Sequence, residues 1–289
     1  MRILILFLAL IIFSPSFGQR KRSKTKNSYA QGTLFGYWGY NRSFYTKSTI
    51  RFVGSGYDFE LKGAVARDNQ SRELNKYFNI NTITVPQFNG RLGYYFKDHW
   101  AISFGYDHMK YIFADNNRVN IYGNISPGID TVTNLSGNYD GQEFITDRNT
   151  FHYENSNGLN YLRLELTRTD QWYATRSKWF AFSTNIGLGA GGLLSFNDFT
   201  FAGRKDQVTI SMSGYGASAH LGARFEFFKH VFLQANLSGG MMHQVRVKTR
   251  PNDPSAYARQ FYGYGEMDIV LGFLLYIRPT NNCNSCPHW

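Results

Sequence analysis

Ser213 and His243 are the residues whose types and placement come nearest to covalent chemistry. A serine hydroxyl becomes a nucleophile when an adjacent base takes its proton, and hydrolases of lipid A or phospholipid need that pair where acyl chains can reach it. Counted by face parity along two neighbouring alternating segments, both side chains point outward near the outer ends, with His108 at a similar height. The stretch around His243 reads MMHQVRV, without the H-x-S of the deacylases, and no carboxylate has a clear claim to orient the imidazole. Lacking that third group, even a correct pair would be weakly activated. The expectation is a protein that is not an enzyme and uses no cofactor. The alternative is a lipid A or phospholipid acyl hydrolase using Ser213 and His243.

A second set is charged. Arg91, Arg163 and Arg224 lie on the polar faces of alternating segments with Asp107, Glu165, Glu226, Glu266 and Asp268, and His220 faces the same way beside Arg224 and Glu226. Ionised groups taken out of water need partners, because a charge buried alone costs several kcal/mol. These residues are therefore expected to form an interior charge network, with Arg224 neutralising Glu226 or a neighbour and His220 a satisfied interior histidine. Structural glue is the leading role; a gate, a proton path or a narrow channel is the alternative. Cys283 and Cys286 form C-x-x-C, a spacing compatible with a disulfide in an oxidising compartment. Free thiols, or a soft metal shared with His288, are the other outcomes for that pair.

The elements that would position these groups are strands. The chain has 289 residues, 43% hydrophobic and 17% aromatic with 28 Gly, too apolar and aromatic for a disordered polymer. Its longest apolar run, Ile3 to Phe13, has eleven residues, against the ~20 of a membrane-spanning helix. Residues 1–18 read instead as a signal peptide, with Ser16 and Gly18 spaced like the small residues before a cleavage site. Residues 19–31 follow as a basic periplasmic tail. Its Arg20, Lys21, Arg22, Lys24 and Lys26 supply much of the formal charge of +11, and no nucleic-acid motif accompanies them.

Eight segments alternate with period two: 33–45, 84–96, 100–113, 158–171, 179–194, 213–227, 231–246 and 261–277. Three connections between them are tight, near 97–99, 173–178 and 228–230, and four are long and polar, near 47–83, 115–157, 196–212 and 248–260. Long and short connections alternate, as in an up-and-down barrel with short periplasmic turns and long extracellular loops. The predicted fold is all-β: an eight-stranded antiparallel transmembrane barrel over 32–278 in the outer membrane, followed by a periplasmic tail at 279–289. The first long loop is expected to hold a hairpin, 49–52 with 57–65. The expected surroundings are outer-membrane lipid and lipopolysaccharide, with a protein or glycan partner at the extracellular loops.

WGYNRSFYTKS (Trp38 to Ser48), GYDFELKGAVARD (Gly56 to Asp68) and VPQFNGRLGYYFKDHWAISFGYDHMKY (Val85 to Tyr111) resemble stretches of a widespread family of uncharacterised Bacteroidota outer-membrane β-barrel proteins. The resemblance implies location and fold and carries no reaction or functional residue with it. In layout the chain also resembles small eight-stranded barrels of the OmpA and OmpX kind.

Overall fold

Alternation of apolar and polar residues becomes antiparallel strand throughout the computed structural model, which describes residues 28–71 and 73–277. The expected signal peptide, residues 19–27 of the basic tail and the Cys283/Cys286 tail lie outside the described residues. Thirteen strands form one sheet. They are β1 (Thr33–Tyr45), β2 (Ser48–Gly54), β3 (Tyr57–Ala64), β4 (Ala66–Arg67), β5 (Phe88–Lys97), β6 (Trp100–Phe113), β7 (Arg118–Ile125), β8 (Gly137–Ile145), β9 (His152–Ala174), β10 (Phe180–Phe201), β11 (Arg204–Phe227), β12 (Val231–Lys248) and β13 (Tyr257–Tyr276). A one-turn helix, Asn75–Phe78, lies between β4 and β5.

The ladders run β1–β5–β6–β9–β10–β11–β12–β13, and β13 pairs again with β1. Each strand of this circuit therefore has hydrogen-bonded neighbours on both sides. A branch leaves the outer end of β13 through β2, β3, β7 and β8. The β2–β3 hairpin turns through Ser55 and Gly56, where Gly56 takes φ 79°, a left-handed value that a side chain would oppose.

Two expected loops are not loops. Residues 196–212 continue β10 and β11 up to a two-residue turn at Ala202 and Gly203, with φ 56° and 71°, the positive values a tight hairpin needs. The segment 115–157 contains the β7–β8 hairpin and the start of β9. Both read as loops because their sequences are rich in polar residues. Phe199, Phe201, Val119 and Ile121 are nevertheless buried, and that inward face makes them strands. β9, β10 and β11 reach 23, 22 and 24 residues, about twice the ~9–11 of a membrane-crossing strand.

Burial changes character along these strands. Toward the tight-turn end the outward residues are apolar and exposed: Leu188 is 67% and Leu271 62% accessible, and Ile102, Leu164 and Leu237 are similar. The inward residues there are polar, above a small cluster of Phe35, Tyr95, Ala101, Phe232 and Leu274. Toward the hairpin end the interior is an aromatic core that includes Phe52, Phe59, Tyr111, Phe151, Phe199 and Tyr262. Four register shifts mark the change, at Met109/Tyr111, Leu193/Leu194, Ser195/Asp198 and Gln244/Val247.

Candidate functional site

The polar belt between the two apolar clusters contains the charged residues singled out in the sequence. Arg91 on β5, Asp107 on β6 and Arg163 and Glu165 on β9 form a ring in which cations and anions alternate. Arg91 Nε donates to Glu165 Oε2, Nη1 to Asp107 Oδ1, and Nη2 to Asp107 Oδ2 at 3.0 Å. Arg163 closes the ring with Nε 3.0 Å from Asp107 Oδ2 and Nη2 3.4 Å from Glu165 Oε1, while its Nη1 donates to Ser218 Oγ at 2.8 Å. His220 Nδ1 lies 3.1 Å from Glu165 Oε1. The register sets Gly105 between Arg91 and Arg163, and a Cβ there would come within 2.6 Å of Arg91 Cζ. The missing side chain is the space the guanidinium occupies.

The other members divide differently from the expectation. Arg224 does not neutralise Glu226. Its Nε donates to Gln234 Oε1 at 2.6 Å and its Nη1 to Tyr95 OH at 3.1 Å, and its guanidinium lies 4.2 Å from the Phe232 ring centre. Glu226 accepts instead from Ser28 Oγ at 2.8 Å and Ser183 Oγ at 3.1 Å. Two residues apart on one face of β11, the two charges lie along the strand, and each is met by groups from elsewhere in the chain. Glu266 and Asp268 on β13 share the amide of Asn89, which donates to both. Asn89, Gln234 and Asn236 were not singled out, although alternation counted from Arg91 and Arg224 puts them on the inward face.

Ser213 and His243 are not brought together. Ser213 is buried, shares a 2.7 Å hydrogen bond with Ser195 Oγ and donates to Leu193 O at 3.2 Å. His243 lies on the outer side, its Nδ1 3.0 Å from Tyr215 OH and its ring edge-on to Phe261. The outward placement of Ser213 fails because Leu193 pairs with Gly214 and Leu194 with Met212, leaving Ser213 unpaired at a bulge that reverses which side chains point inward. His108, the other rim histidine, has Nδ1 2.8 Å from Asn160 Oδ1 and stacks on Phe88.

Near the hairpin end, Glu154 stands between His152 Nε2, at 2.7 Å, and Ser156 Oγ, which donates to it at 2.8 Å. The carboxylate separates serine from imidazole, so this histidine cannot take the serine's proton. Among the described residues no group of three His, Cys, Asp or Glu side chains is placed to hold a metal by itself.

The outer face of the β2–β3–β7–β8 branch is polar. Arg51 donates two hydrogen bonds to Asp58, at 2.6 and 2.5 Å, and this pairing holds the Asp58 carboxyl below its ordinary range against a smaller opposing effect of burial. Lys62 Nζ sits 3.9 Å from the centre of the Tyr122 ring.

The sequence matches no family model and no curated protein. Among solved structures, the fold is similar to the outer membrane protein OprG from Pseudomonas aeruginosa at 10% identity, covering 88% of this chain and 100% of that one, with a TM-score of 0.43. It is also similar to Ail, the attachment invasion locus protein of Yersinia pestis, at 10% identity, 85% and 99% coverage and a TM-score of 0.32. A third similarity is to the outer membrane protease OmpT from Escherichia coli, at 9% identity, 84% and 96% coverage and a TM-score of 0.34.

Proposed function

We propose that the strand circuit is an eight-stranded transmembrane barrel of the outer membrane, and that the protein acts without catalysis, through a surface contact made by its extracellular hairpins. The observation that carries this reading is the band of exposed Leu, Ile, Phe and Met around the outside of a polar, charge-paired interior. Soluble proteins rarely expose a contiguous apolar surface of more than a few hundred Å². A membrane barrel requires one, about 25 Å tall. Alternating tight turns and long hairpins agree with it, the turns facing the periplasm.

The interior supports a sealed barrel over a narrow channel. Eight strands leave a lumen that side chains can fill, and here the salt-bridged ring lies between apolar clusters on either side. The surface role rests on the β2–β3–β7–β8 branch, which buries one face in the aromatic core and turns Arg51, Glu60, Lys62, Asn120 and Tyr122 outward. Exposed amides, charges and an aromatic ring suit a protein or glycan partner. Lipid and lipopolysaccharide would surround the apolar band.

Fractionation and surface labelling test this directly. The protein should be recovered in the outer membrane and shift in gel migration on boiling. A cysteine at Tyr122 should react with an impermeant maleimide on intact cells, and one at Asp98 should not. Recovery in the soluble periplasm without a boiling shift would sink the membrane reading. Steady conductance in planar bilayers would favour the channel. Fluorophosphonate labelling lost in both Ser213→Ala and His243→Ala would favour the hydrolase.

A further inference from the structure

The belt holds more negative than positive charge. Arg91 and Arg163 are committed to Asp107 and Glu165, and Arg224 to Gln234 and Tyr95, so among the described residues Glu266 and Asp268 have no cationic side chain in ion-pair contact. Asn89 Nδ2 donates to Glu266 Oε1 at 2.7 Å and to Asp268 Oδ2 at 2.9 Å, and Asn236 Nδ2 donates to Asp268 Oδ1 at 2.6 Å. Neutral amides orient these carboxylates but cannot balance their charge.

Four oxygens nearby are buried without any hydrogen-bond partner: Glu266 Oε2, Asn41 Oδ1, the Tyr264 hydroxyl and Ser43 Oγ, which lies opposite Glu266 on β1. Their residues are 1%, 2%, 6% and 2% exposed. They belong to one neighbourhood. The β1–β13 ladder sets Asn41 opposite Asp268, Asn41 Nδ2 donates to Asn89 Oδ1 at 2.6 Å, and Tyr264 is the next inward residue after Glu266 on β13. Buried polar atoms left unpaired are rare and usually mark an ion or water. Water would supply donors without charge, and a proton on Glu266 would neutralise that carboxyl and make its Oε2 a donor but would leave Asp268 without a counter-charge. A cation answers both demands, and an all-oxygen set with carboxylate charge suits a hard ion in flexible coordination, as Ca²⁺ accepts.

We propose that the Glu266–Asp268–Asn41 cluster binds one Ca²⁺ ion inside the barrel, with Glu266 Oε2 and Asn41 Oδ1 as ligands, Asp268 as the second charge and Tyr264 at its edge. Apolar clusters on both sides of the belt make exchange slow, so the ion is taken up as the chain folds. The test refolds the full-length protein into micelles with Ca²⁺ or with EDTA, removes free ion by gel filtration, and measures bound calcium and melting temperature. One retained equivalent and a higher melting temperature are expected with Ca²⁺, both lost in Glu266→Gln. Asn41→Ala keeps both carboxylates and should weaken retention at least tenfold, which serves if Glu266→Gln does not fold. No retained calcium, retention unchanged in both variants, or melting that follows pH but ignores Ca²⁺ would each overturn the site; the last would identify a proton as the occupant. Because the readout is bound metal, it is independent of any surface partner.

Discussion

Strand β13 passes through two different environments. From Met267 to Leu275 its outward residues are Met267, Ile269, Leu271, Phe273 and Leu275, all exposed, while Asp268, Val270 and Leu274 face inward. From Tyr257 to Tyr264 the inward residues are Ala258, Gln260, Tyr262 and Tyr264, against an outward Arg259 and Phe261. Every outward residue of the first stretch is apolar, whereas the second sets a charge outside beside one exposed ring. Backbone pairing is the same in both. The side chains differ, and the register shifts at Met109/Tyr111, Leu193/Leu194, Ser195/Asp198 and Gln244/Val247 fall where the interior changes over.

The two regions are also held differently. The proposed membrane region relies on paired charges that would be costly apart, whereas the hairpin end relies on packed rings: Phe52 lies 5.4 Å from Phe59 and 5.3 Å from Phe199 and Phe151. If so, removing one charge should matter far more below than above. Arg91→Leu leaves Asp107 and Glu165 to share Arg163 alone and should cost about 3–5 kcal/mol, read as a lower urea midpoint in micelles. Arg51→Leu, in the exposed pair with Asp58, should cost less than about 1 kcal/mol. Equal losses would erase the distinction.

The outside supplies the next test. Leu271→Arg places a charge in the apolar band and should cost about 2–4 kcal/mol near the bilayer midplane. Tyr122→Arg on the outer face of the hairpin branch should change folding stability by no more than about 0.5 kcal/mol. A tolerated Leu271→Arg in folded, membrane-inserted protein would place the band elsewhere.

Arg224 sharpens the comparison within the belt. Its partners are an amide, a phenol and a ring, so Arg224→Leu leaves Gln234 short of a donor but strands no carboxylate, and about 1–3 kcal/mol is expected. A loss matching that of Arg91→Leu would show that Arg224 carries charge balance after all.

The smallest effect is at acid pH. Asp58 has a folded pKa below its unfolded value because Arg51 hydrogen-bonds its carboxylate. Its contribution is therefore present above the ordinary carboxylate pKa and is lost as pH falls through the lower folded value. Hydrogen exchange should show β2–β3 amides losing protection in that range while β10–β11 amides keep theirs. Arg51→Gln should remove the difference, and protection that falls together in both regions would mean that the hairpin has no separate acid response.

Period-two alternation is a local property, so the sequence alone was enough to place Arg91, Asp107, Arg163, Glu165, Arg224, Glu226, Glu266 and Asp268 on faces opposite the exposed Leu and Phe, and to find the β2–β3 hairpin across Gly54 and Gly56. It could not assign partners. Arg224 and Tyr95 are 129 residues apart, and only the order of strands around the circuit brings them together. It could not carry parity past a bulge either, because one unpaired residue at Ser213 reverses the faces of Ser213 and the residues just before it on β11, turning Thr209 and Ser213 inward and Ile210 and Met212 outward. Nor could it tell a solvated strand from a loop in 196–212, where polar residues face water and Phe199 and Phe201 become core only when β2 and β3 bring Phe52 and Tyr57 against them. Which face a residue takes follows from its neighbours in the chain; what it meets there is decided by strands distant in sequence, through register and burial that exist only in the folded molecule.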